Sequence, residues 1–312
     1  MKKLPLTFAA ALLGLLPAFG ALEWLTDLPA AQQRADEQGK LILADFTGSD
    51  WCGWCIRLKK NVLDTPEFEQ FAAARFIPLE IDLPQRKAIP AAQLTANKAL
   101  VTRYNIDGFP TILVLTPDGT VVGGFGGGLP NVAAAREPLE AALANARTYA
   151  EATRATTPAE QLSALLRVYR DIPEDVRKHA DALRERIIAL DPEDNSGLRR
   201  ERETALLREN IAQQLRQAKD PETMLSILDK SLNNNQLPAD DKADLLSLKV
   251  QILLTLAQNT DDIAAAKQIA LEALELDPQT TPELRQRLEA TFSDPERLLK
   301  RAAEIRARMN RK

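Results

Sequence analysis

The sequence predicts an α/β sandwich over residues 21–152, followed by an all-α region of antiparallel helical hairpins over residues 153–312. Three observations carry this. Up to about Thr153, short apolar runs alternate with helical segments, the pattern of a sheet covered by helices. Beyond Thr157 the single glycine is Gly197, and apolar residues recur at helical spacing nearly to the end. A chain of 312 residues also has room for about two domains.

The elements follow in order. "LILADF" (Leu41 to Phe46) is a short apolar run and reads as a buried strand. A helix begins at the cysteines and continues through "CIRLKKNVL". "PEFEQFAAA" is a second short helix and "FIPLEID" a second strand. Residues 83–98, "LPQRKAIPAAQLTANK", read as an extended loop, and "ALVTRYNI" as the end of a helix. "PTILVLT" is a third strand, "PDG" a turn, and "TVVGGF" completes a hairpin. The last helix of this half is "NVAAAREPLEAALANARTYA".

In the second half, "TPAE" at Thr157, "DPET" at Asp220, "TPEL" at Thr281 and "DPER" at Asp294 each place a capping residue before proline. Proline suits the first helical turn, where its missing N–H is no loss. Leu162, Leu165, Leu166, Tyr169 and Ile172 fall on one helix face. "IIALDP" and "ALELDP" resemble helix endings of tetratricopeptide-like repeats. Asp191 and Asp277 stand 86 residues apart, however, which is not a multiple of that period, so the repeat type stays open.

The chemistry concentrates in "FTGSDWCGWCIRLKK", Phe46 to Lys60. Cys52 and Cys55 are the only cysteines, and His179 is the only histidine. A closed zinc site needs about four N/S ligands, which this chain does not supply. A staple across two residues would close too short a loop to restrict the unfolded chain much. A dithiol that opens and closes is therefore the expected reading, with neither metal nor cofactor beyond it.

These motifs together resemble the thioredoxin superfamily over roughly Leu22 to Ala150. "ADF…WCGWC" is similar to the family's strand and active site, and "YNIDGFPTILVLTPDGTVV" to its cis-proline loop, strand and hairpin. The resemblance implies a central mixed sheet flanked by helices. It also implies that Cys52 is the exposed nucleophile at a helix start, where N–H groups and the helix dipole stabilise a thiolate. Cys55 would then resolve the mixed disulfide. One residue more than usual separates Asp45 from Cys52, and Trp54 stands where typical thioredoxins carry proline.

Asp45 is either a buried acid–base group for Cys55, its pKa raised by desolvation, or a strand-end residue facing water. Phe109, cis-Pro110 and Thr111 are expected to offer backbone to an extended substrate, as in strand addition. Trp51, Gly53 and Trp54 complete the expected substrate surface, although Trp54 could equally fold back on the domain. Gly124, Gly126 and Gly127 either admit a substrate closely or mark the hairpin exit. His179, in the charged "VRKHADALRERI", reads as a solvated surface residue. The basic tail "RAAEIRARMNRK" reads as a solvated helix face.

The first twenty residues have a charged start (Lys2, Lys3), an apolar centre and a small-residue end, Ala18-Phe19-Gly20. That is the form of a secretory signal peptide. Its removal would move the net charge from −4 to −6, which argues against nucleic acid as a partner. No later stretch reads as a membrane span. The expectation is a periplasmic or secreted bacterial thiol–disulfide oxidoreductase leaning to reductase or isomerase. Its partners would be protein thiols and disulfides, together with an electron donor or acceptor that membrane attachment would suit. The competing reading is a non-catalytic interaction scaffold built on the helical region.

Overall fold

The core of the first half is built on Leu41–Thr47 (β1), whose apolar side chains are buried on both faces of the sheet. Burial of both faces explains why the strand reads as a continuous apolar run rather than an alternating one. β1 pairs in parallel with Phe76–Asp82 (β2) and antiparallel with Thr111–Leu115 (β3). β3 in turn pairs antiparallel with Val121–Gly126 (β4), giving the order β2-β1-β3-β4. Leu25 adds an isolated parallel bridge to Leu79 on the outer side of β2.

The computed structural model describes residues 22–277 and 279–309. The expected signal peptide lies outside the described residues, as do the last residues of the basic tail. No helix of the described residues is long and apolar enough to cross a membrane.

Helices cover the sheet. Leu28–Gln38 (α1) escaped the sequence reading, although its signals are present. Asp27 caps it by accepting from Ala30 N at 3.0 Å, and Gly39 ends it with φ 63°. Gly53–Leu58 (α2) opens at Cys52 and continues into one π turn, Lys59–Leu63. Pro66–Ala73 (α3) follows as expected. The expected loop over residues 83–98 is only half loop, because Ala91–Arg103 (α4) begins directly after Pro90. Its alanines and leucines favour helix, and the buried Asn97 donates to the Asp82 carbonyl at 2.7 Å. Val132–Arg154 (α5) packs on β4, where Asn145 Nδ2 donates to the Val122 carbonyl at 2.9 Å.

The change in composition near Thr153 is not where the compact units divide. Residues through Ser196 form one unit and residues from Gly197 the other. Pro158–Asp171 (α6) packs along α5, burying Leu165, Val168 and Tyr169, and Ile172 just beyond its end. Glu174–Arg177 (α7) lies against β4, and Asp181–Leu190 (α8) packs on α6. Gly197, the lone glycine of this half, stands at the division with φ 77°, a conformation that other residues adopt at a cost.

The second unit comprises Leu198–Gln217 (α9), Pro221–Leu232 (α10), Ala239–Leu256 (α11), Thr260–Leu276 (α12), Pro282–Thr291 (α13) and Pro295–Met309 (α14). α11 and α12 are joined through residues 257–259 and pack along each other as a helical hairpin. Val250, Ala257, Ile263, Ala266, Ala270 and Phe292 form its core. All four expected caps form: Thr157, Asp220, Thr281 and Asp294 each accept from a backbone N–H three residues on. The basic tail is more than a solvated face. Leu298 and Leu299, just before it, pack on that core; within it Ala302 is buried, and the Arg306 guanidinium donates to the carbonyls of Thr255 and Ala257 at 2.9 and 2.5 Å.

Candidate active site

Cys52 and Cys55 form a disulfide at the start of α2. Cys52 is the helix cap, and its Sγ accepts from the Cys55 N–H at 3.2 Å. That N–H and the helix start would stabilise a Cys52 thiolate once the bond is reduced. The sulfur expected to be exposed is largely covered: Cys52 is 7% exposed and Cys55 3%. The cover comes from the loop before β3, where the Phe109–Pro110 peptide is cis. The Phe109 carbonyl oxygen lies 3.7 Å from Cys52 Sγ. Thr111 is buried and its Oγ1 donates to the Gly108 carbonyl at 2.9 Å, while Gly127 N donates to the Pro110 carbonyl at 2.9 Å. The loop that faces the sulfurs is thus fastened at both ends.

The two tryptophans differ. Trp51 folds across Gly48, where any added Cβ would come within 2.5 Å of its ring. Its Nε1 donates to the Leu83 carbonyl at 2.8 Å, and it meets Phe109 edge-on with centroids 5.9 Å apart. Trp54 is 60% exposed. The Arg57 guanidinium sits 4.1 Å over its ring, and a Cβ on Gly128 would stand 2.9 Å from its edge. Trp54 therefore rests on a seat and still presents broad apolar area beside the disulfide. Gly53 at the helix start is also exposed. Of the glycines read as open to two roles, Gly124 has φ 145°, and a Cβ there would fall 2.1 Å from the Ile112 carbonyl oxygen. Strand pairing requires that glycine.

Asp45 faces the interior, not water. It is 3% exposed, opposite Glu80 in the β1–β2 register and Ile112 in β3. Among the described residues its Oδ1 has no hydrogen-bond partner. Burial pushes its pKa up from 3.8 to about 7; Glu80, Asp82 and Asp64 add to the rise, and Lys59 opposes it. Lys59 Nζ and Glu80 Oε2 form an ion pair at 3.0 Å. Both line a cleft of about 220 Å³ with Cys55, Thr47, Ser49 and Asp64. The cleft therefore reaches Cys55 beside the Lys59–Glu80 ion pair.

Sequence reasoning missed the residues that accommodate the extra turn residue before Cys52. Asp82 accepts from Ser49 N at 2.9 Å and from Ser49 Oγ at 2.6 Å. Asp50 accepts from the N–H groups of Gln85, Arg86 and Lys87 at 2.9, 2.6 and 2.6 Å. These partners lie over thirty positions apart, so no local spacing announces them.

A disulfide at a helix start, covered by a cis-proline loop on a four-stranded mixed sheet, defines a thiol:disulfide oxidoreductase of thioredoxin-like fold. The chain belongs to the thioredoxin superfamily, and a family profile described as a thioredoxin-like domain matches residues 28–141. It is 32% identical over 123 residues to the disulfide bond reductase DsbH of Chlamydia pneumoniae, covering 38% of this chain and 74% of DsbH. The thioredoxin-related protein DsbJ of the same organism is 29% identical over 31% of this chain and 28% of DsbJ. A solved structure of a DsbH oxidoreductase is 28% identical and covers 46% of this chain and 94% of that one, with a TM-score of 0.38.

One prediction concerns Trp54. Proline at this position would remove an N–H and fix φ at the helix start, weakening the stabilisation of a Cys52 thiolate. Trp54→Pro is expected to raise the Cys52 pKa by about one unit or less and to make the protein a stronger reductant. Thiolate absorbance titrated in both variants checks this, and superimposable curves would leave Trp54 with substrate contact alone.

Proposed function

We propose that this protein is an exported reductase of protein disulfides that works through the Cys52/Cys55 dithiol. The observation that carries the reading is the placement of Cys52 at a helix start beneath the Phe109–Pro110 loop. The Cys52 thiolate attacks a substrate disulfide sulfur, the substrate S–S bond breaks, and the leaving thiolate takes a proton. Asp45 accepts the Cys55 proton, directly or through water in the cleft. Cys55 then attacks Cys52 Sγ, closing the internal disulfide and releasing the second substrate thiol. Two electrons pass to the substrate, and a partner dithiol restores the enzyme.

Trp51, Gly53 and Trp54 form the apolar floor, and the backbone of Phe109, Pro110 and Thr111 the edge, on which an extended substrate lies. The redox-active disulfide is the only redox group this scheme uses. Two features support the reductive direction and export. DsbH, which carries the name disulfide bond reductase, is similar over most of its length, and residues 1–20 have the form of a secretory leader.

The test is insulin reduction with a dithiol donor, together with redox equilibration against glutathione. Turnover and a potential below about −200 mV are expected. A potential near that of the strong oxidants, about −120 mV, would overturn the reductive direction. A mature N-terminus at Ala21 or Leu22 after expression with the native leader would support export, and an intact Met1 would refute it.

A further inference from the structure

His179 is not the surface residue its charged neighbours suggest. It is 4% exposed, and it sits in the turn between α7 and α8. Its Nδ1 lies 2.9 Å from the Tyr104 carbonyl oxygen and 3.1 Å from that of Asn105. Both partners can only accept, so Nδ1 carries the hydrogen and donates to the pair. Beside it, Lys178 Nζ reaches both carboxylate oxygens of Asp107 at 2.7 Å. Within α7, an Asp175 oxygen stands 3.6 Å from where a Cβ of Gly126 would be.

These contacts converge on one strip of chain. After α4 the backbone turns through Asn105, at φ 50°, and runs over Asp107 and Gly108 into Phe109 and Pro110. Nothing in the strip from Asn105 to Gly108 belongs to a strand. Thr111 and Gly127 hold the Pro110 end of the loop, and the α7–α8 turn supplies the long-range fastening at the Asn105 end. The ion pair is exposed on both partners and so contributes little. The covered imidazole bond is the stronger of the two, since an unpaired carbonyl there would be costly.

We propose that the α7–α8 turn is a clamp that sets the Phe109–Pro110 loop for substrate, with His179 as the main positioning residue and Lys178 as its accessory. The helical segment after α5 is then part of the substrate-binding apparatus for extended polypeptides. The proposal rests on the reading that protein disulfides are the substrate, because a small disulfide needs only the sulfurs.

The full chain is tested as wild type, His179→Ala, His179→Asn and Lys178→Ala. Three measurements apply: insulin reduction, reduction of the small aromatic disulfide DTNB, and amide hydrogen exchange over residues 105–111. In His179→Ala the insulin KM is expected to rise about fivefold, the equivalent of one hydrogen bond. Its kcat and the DTNB rate should stay within about twofold, with faster exchange over residues 105–111. His179→Asn, whose side-chain amide can occupy the Nδ1 position, should recover most of the KM, and Lys178→Ala should have the smaller effect.

Unchanged KM and exchange in His179→Ala would overturn the clamp. So would equal losses on insulin and DTNB, which a general loss of stability produces. Should His179→Ala not fold, His179→Gln keeps the volume but moves the donor, and the same two outcomes decide. A wild type inactive on insulin would refute the protein-disulfide reading, while the exchange data would still show whether the loop is clamped.

Discussion

Cys52→Ser is expected to reduce disulfide exchange to the uncatalysed background, with the fold retained. The cap at Cys52 accepts from Cys55 N, and a serine oxygen can take over that role. It cannot form the mixed disulfide through which electrons pass. Cys55→Ser should instead leave Cys52 able to attack and unable to be released, so a covalent complex with substrate accumulates. Non-reducing electrophoresis of each variant with a disulfide substrate separates the outcomes. Turnover by Cys52→Ser, or trapping through Cys55 in place of Cys52, would reverse the assignment of nucleophile and resolver.

Asp45→Asn is expected to stabilise the protein at neutral and alkaline pH, by an amount on the order of 4 kcal/mol above pH 8. The carboxyl has its pKa raised by burial from 3.8 to about 7. For a group whose folded pKa is raised, the stabilising contribution is complete below the unfolded pKa. It is lost as pH rises through the folded pKa. The wild type should therefore lose stability between about pH 4 and pH 7–8 relative to Asp45→Asn, and the two should converge below pH 4. Urea unfolding at several pH values reads this directly. A stability difference that does not change with pH would show that Asp45 is not a buried acid. The same substitution should slow release of the mixed disulfide by about a hundredfold, the scale of a lost general base, leaving the first attack near wild type.

How much was legible follows from the range of the interactions involved. The strands around Asp45 and Thr111 were readable because burial on both faces leaves a local apolar run. The caps at Thr157, Asp220, Thr281 and Asp294 were readable because the cap and the backbone N–H that donates to it lie three residues apart. Cys52, Cys55 and Pro110 were readable because the motifs that carry them are contiguous. α4 was half missed where Ala91 and Ala92 follow a proline-containing loop, since Pro90 reads as loop until the helix behind it packs on β2. α1 was missed because it carries only three buried residues, Leu28, Ala31 and Ala35, too few to mark a face by periodicity.

The sequence by itself determined the fold class and the dithiol, and its resemblance to the thioredoxin superfamily implied the cis-proline loop. The strands, helices and CxxC pair rest on local patterns, whose chemistry does not wait for distant partners. Tertiary structure alone decided which way Asp45 faces, how Asp50 and Asp82 hold the lengthened turn, and that Trp51 folds back while Trp54 stays open. It also decided that His179 is interior. The charges around His179 are split between a helix of only four residues, Glu174–Arg177, and the separate helix α8, and His179 lies in the turn between them, where no helical period applies. Its partners, the carbonyls of Tyr104 and Asn105, are more than seventy residues away and are backbone groups, which every residue carries alike. A hydrogen bond to a distant carbonyl leaves no mark on the sequence, so only tertiary packing, α6 along α5 and α7 against β4, brings that imidazole to the loop before β3.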